Sequence, residues 1–156
     1  MTTVNFDSIF APQLVGHVAD PEVIDPDGDP NHTLQIALPY TVKLKWDLQG
    51  TDADSLGGTW KVKISLESLG EEFEGPVWQG DTVYSNVDAG STSTNQMWHI
   101  DAVVTNPTTD PDPKKNVTAG VYMLGVQILF YNEHDKPKAM AAFSTGPTLA
   151  FYDPGT

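Results

Sequence analysis

No cysteine occurs among the 156 residues, which excludes disulfides and thiolate metal sites without fixing a compartment. No arginine occurs either. The eight basic residues are all lysine, against 21 acidic residues, for a formal net charge of −13. Nucleic acid needs a basic footprint and favours arginine forks, and an anionic membrane surface needs juxtaposed cations, so the charge balance argues against both, and no nucleic-acid partner is expected. No apolar run approaches membrane-spanning length, so no membrane insertion is expected. The first eleven residues lack a basic n-region and an apolar h-region. With Met1 at the start, the expectation is a complete gene product, cytoplasmic or exported without a Sec signal as part of an assembly.

Catalytic signatures are missing as well. There is no HExxH, no GxSxG, no glycine-rich phosphate loop and no pair of glutamates at a recognisable spacing. No catalytic residue is nominated and no cofactor is implied; the chain reads as a protein that is not an enzyme. Were it one, a deep pocket holding His99 or His134 is the expected sign. Helical periodicity is absent too, and no helix of ordinary length is supported.

What is present is alternation. Val42, Leu44, Trp46 and Leu48 alternate with Lys43, Lys45, Asp47 and Gln49; Trp60, Val62, Ile64 and Leu66 alternate with Lys61, Lys63, Ser65 and Glu67. Successive side chains of a strand point to opposite faces, so each run has one apolar and one polar face. The stretch 41–70 therefore reads as a core strand pair. Its connection, 50–59, serves either a hairpin or a crossing from one sheet to another that brings Trp46 and Trp60 together. The outward lysines repel one another unless acidic side chains stand nearby.

Further strands are expected at 13–19, 33–38, 77–84, 97–105, 121–131, 139–143 and 148–152, the last two split by Ser144–Pro147. The stretch 20–32, dense in acid, proline and glycine, reads as a loop, as does the proline-rich 106–115. Eight or nine short strands with turn signals between them make an all-β, two-sheet antiparallel β-sandwich. Residues 1–12 form an N-terminal tail carrying Phe6, Ile9 and Phe10, and 13–156 a single β-sandwich domain.

Within 116–128, Gly120, Tyr122, Leu124 and Val126 resemble the penultimate strand of immunoglobulin-like and fibronectin-like sandwiches, whose tyrosine hydroxyl bonds back to a nearby backbone group. Without the cysteine pair, an antibody-type domain is out. The resemblance implies architecture, not activity. A second resemblance rests on Leu56–Trp60, Leu66–Gly70, Ala141–Phe143 and Phe151–Tyr152. These are similar to small uncharacterised β proteins encoded beside phage-tail-like contractile injection systems, and no functional residue carries over.

Candidate sites are few. Asp25, Asp27 and Asp29 alternate as in a calcium loop, but Pro30 and Ile36 stand where an EF-hand needs glycine and glutamate. A looser calcium site would draw on Asp20, Glu22, Asp52 or Asp54. Trp78 and Tyr84 are aromatic candidates for stacking on carbohydrate. His99 and Asp101 share a strand face; His17 and His32 are isolated. In 121–131 the second face carries Met123, Leu129 and Tyr131, so it is covered by the N-terminal segment, a loop or another subunit. The functional expectation is a non-catalytic sandwich acting through protein contacts or self-association, as a structural or accessory part of a larger assembly. The alternative is a module that binds carbohydrate or calcium.

Overall fold

The computed structural model describes residues 15–50, 58–70, 72–82, 95–132 and 137–155. The tail 1–12, Asp52, Asp54, Tyr84 and His134 lie outside them. Among the described residues nine strands follow one another: β1 (Val15–Val18), β2 (Glu22–Ile24), β3 (Thr33–Gln35), β4 (Tyr40–Gln49), β5 (Gly58–Ser68), β6 (Glu74–Thr82), β7 (Asn95–Val104), β8 (Gly120–Asn132) and β9 (Pro137–Tyr152). The one helical element among the described residues is a 3₁₀ turn at Pro113–Lys115, begun by the Asp112 side chain accepting from Lys114 N–H.

Two sheets result. In the first, β4 is central, with β7 along one edge and β1 and β2 sharing the other; the second runs β3-β9-β8-β5-β6. Every pairing is antiparallel except β3 on β9, which is parallel. The alternation predicted along β4, β5, β7 and β8 is what turns these strands into sandwich layers. Val42, Leu44, Trp46 and Leu48 of β4 and Tyr122, Leu124, Val126 and Ile128 of β8 are all almost completely buried. Within the first sheet, the cross-strand pair Trp46 and Trp98 stacks at 6.5 Å between ring centroids. Trp60 meets Trp46 edge-on at 6.1 Å, Trp98 at 5.2 Å and Phe130 at 5.1 Å. Such aromatic pairs add about 0.5–1.5 kcal/mol each beyond the area they bury, and the contacts of Trp60 with Trp46 and Trp98 join one sheet to the other.

The stretch 41–70 is accordingly not a hairpin. β4 and β5 lie in different sheets, and the Trp46–Trp60 contact is made across the core. Two more expectations change. Glu22–Ile24 is a strand, β2, inside a stretch read as loop: Val23 pairs with Val42 and is 1% exposed, so one buried side chain holds three residues in the sheet. The closing strand is not split at 144–147 but runs through as β9, with a shift of register against β8 between Met123 and Gly125. Gly146 makes that bulge possible, since a Cβ there would stand 2.9 Å from Leu124 Cδ2. Pro147, which has no N–H to donate, sits in the same irregular stretch.

Candidate functional site

The outer faces of the two sheets differ in how their polar groups are matched. On the first sheet, register places Lys43 between Glu22 and Asp101, so the acids the lysine needs stand on both neighbouring strands. His99 stands across from Lys45 and shares its face with Asp101. His17, isolated in the sequence, is not isolated in the fold. Its Nδ1 lies 2.8 Å from Oδ1 of Asp47, and Gln49 Nε2 donates to the other carboxylate oxygen at 3.3 Å. Asp47 is only 5% exposed, and burial of a carboxylate is tolerable when its lone pairs are used in this way.

The second sheet's outer face is built otherwise. Register sets Lys61 between Asp81 and Leu129, Lys63 beside Gln127, Ser65 beside Gly125 and Glu67 beside Met123. Lys61 Nζ sits 4.6 Å from the centre of the Tyr131 ring, a cation–π distance. Lys63 lies between Gln79 and Gln127, with no acid directly across on either side. Glu67 has Met123 on one side and a second glutamate, Glu74, on the other. Among the described residues neither Lys63 nor Glu67 makes an ion pair. Apolar groups reach solvent here: Phe143, beside Gly125, is 62% exposed, and Val121 is 44% exposed. Met123, Leu129 and Tyr131 are half-buried. A shallow depression of about 200 Å³ lies between Lys63, Glu67, Met123 and Phe143, where Gly125 has no side chain to fill it.

The other candidates are placed as follows. Asp25 is engaged within its own loop: one carboxylate oxygen accepts from the N–H groups of Asp27 and Asp29, each at 3.0 Å, and the other from Asn31 Nδ2. Donation from the Asp29 backbone, with Asn31, Asp27 and Gly28 helping against desolvation, holds its carboxyl below the ordinary value. Gly28 supplies the positive φ of 93° the loop requires. Among the described residues no three acidic or histidine side chains gather to hold a metal ion. Trp78 packs against the core, its ring end lying over Gly80, and stands across from the buried Ile64. It is a half-buried cover at the sheet edge. Four surface depressions of about 200 to 390 Å³ are lined by no histidine.

Two polar anchors hold the sandwich ends. Tyr122 Oη donates to Thr118 O at 2.8 Å and accepts from Thr118 N–H, the back-bond that the resemblance implied. Tyr40 Oη donates to Asn106 Oδ1 at 2.9 Å, and Asn106 Nδ2 in turn donates to Ile36 O. Burial pushes the Tyr40 phenol well above its ordinary pKa. No helix among the described residues is long and apolar enough to cross a membrane. Comparison of the sequence with protein-family models finds no match, and comparison with curated proteins finds no significant one.

Proposed function

We propose that this chain is a non-catalytic β-sandwich protein that acts through protein–protein contacts, as a structural or accessory component of a larger assembly. One observation carries the reading: the outer face of the second sheet combines exposed Phe143 and Val121 with half-buried Met123, Leu129 and Tyr131. Singly exposed apolar residues are ordinary on protein surfaces, whereas a contiguous apolar patch marks an interaction site. The likeness to β proteins encoded beside phage-tail-like injection systems makes an assembly of that kind the setting.

An immunoglobulin-like arrangement fits the same picture. Taking β1, β2 and β3 as successive pieces of one first strand, A, the first sheet reads A-B-E. The second then reads G-F-C-C′ with a piece of A beside G, an order found among immunoglobulin-like sandwiches. Tyr122, on strand F in that lettering, makes the corner bond. Sandwiches of this type host many functions, so it is the face and not the fold that supports the contact reading.

A photo-crosslinking residue at Thr145, in the middle of that face, tests the reading in the cells that make the protein. Adducts of discrete mass from Thr145, and none from Val103 on the outer face of the first sheet, are expected. No adduct at Thr145, or equal adducts from both positions, contradicts it.

A further inference from the structure

The geometry points to a second copy of this chain as the occupant of the second sheet's outer face, related by a two-fold axis that crosses the strands at the Ser65–Gly125 pair. This rests on the contact reading above and names its partner. A two-fold interface is self-complementary: the same patch must supply both halves of each contact. Rotation about an axis lying in the interface and running across the strands reverses each strand over its own copy. With Ser65 at the centre, Lys63 comes to lie over Glu67 of the other copy, and Glu67 over Lys63.

Among the described residues neither charge has an ion-pair partner within the chain. Lys63 stands between two glutamines, and Glu67 stands beside Glu74, a like-charge neighbour that costs stability. The same rotation sets Leu129 over Val121, apolar on apolar, by the register of β8 on β5. At the axis the residues are serine and glycine, so sheets packing face to face at about 10 Å leave room there. Phe143 and Met123 of both copies can then interdigitate. At strand spacings of about 4.8 Å and rises of about 3.3 Å per residue, five strands offer roughly 800 Å² per copy. That is about the share each partner contributes to a stable interface. The net charge of −13 opposes association at long range, but salt screens it beyond about 8 Å, so matching at the axis decides the contact.

Sedimentation velocity on the purified chain, on the variants Lys63→Glu and Glu67→Lys, and on their equimolar mixture tests the pairing. The wild-type chain is expected to be a dimer. Each reversal alone faces like charge across the axis twice and weakens association at least about tenfold, whereas the mixture restores both pairs and associates to within about threefold of wild type. Glu67→Lys also relieves the repulsion by Glu74, so its melting temperature at a concentration where both chains are monomeric does not fall below that of the wild type, which separates lost association from lost folding. A wild-type chain that is monomeric at roughly 100 µM, reversals that leave the dimer intact, or a mixture no tighter than its components would each overturn the proposal. If the wild type is monomeric while Thr145 still crosslinks to a different protein in cells, self-association fails and the contact reading stands. If Thr145 crosslinks to nothing, both fail.

Discussion

The outer faces of the two sheets use the same strand alternation and reach opposite ends. On the first, Glu22 and Asp101 flank Lys43 from the neighbouring strands, and Asp47 is held by His17 of β1 and by Gln49 of its own strand. On the second, Lys63 has glutamines on both sides, Glu67 has a glutamate, and Phe143 stands in solvent. A face whose charges are matched within the chain has no need of a partner. A face with unmatched charges beside exposed apolar groups gains from one. The proposed contact reading rests on this difference.

Substitutions can break or sharpen this contrast. The largest effect belongs to neither outer face but to the layer between them. Trp60→Ala removes the ring that touches Trp46, Trp98 and Phe130 and should cost about 3–5 kcal/mol in urea unfolding. On the first face, Asp47→Ala leaves His17 and Gln49 without their acceptor and should cost about 1–3 kcal/mol. A neutral result would mean that the matching on that face is not structural.

Tyr40→Phe should cost about 1 kcal/mol at neutral pH, because Asn106 loses its donor, and the cost should shrink in alkali. The folded phenol holds its proton above its ordinary pKa, so the stability tied to that proton is complete below about pH 10 and is lost as pH rises beyond it. The phenylalanine variant has no such proton to lose, and urea midpoints for both chains between pH 8 and 11 check the sign. The smallest effect is expected on the second face. Phe143→Ser should change the stability of dilute protein by less than about 0.5 kcal/mol, although the residue is a large aromatic. A larger loss would place Phe143 in the core economy and weaken the contrast.

Much of the fold was legible because one buried face imposes a period of two. β4, β5, β7 and β8 follow their alternation, and the second apolar face of β8 was visible in Met123, Leu129 and Tyr131. Sheet membership was less legible: a connection as long as 50–59 suits a hairpin or a crossover equally. Three-residue β2 escaped notice because only Val23 carries its burial, amid prolines and acids that read as loop. The bulge at Gly146–Pro147 looked like a break because backbone approach to Leu124 leaves no trace in hydropathy. The charges of the candidate site were hidden for another reason. Whether Lys63 is matched depends on register with Gln79 and Gln127, 16 and 64 residues further along the chain. The His17–Asp47 pair likewise joins residues 30 positions apart.

The central claim is that the second sheet's outer face is covered by another molecule and the first sheet's is not. The natural absence of cysteine allows a direct measurement: the rate of thiol alkylation in chains carrying Thr145→Cys or Val103→Cys, followed as protein concentration rises. The account predicts that alkylation slows with concentration at position 145 and stays constant at position 103. A constant rate at 145, or equal slowing at both, would contradict it.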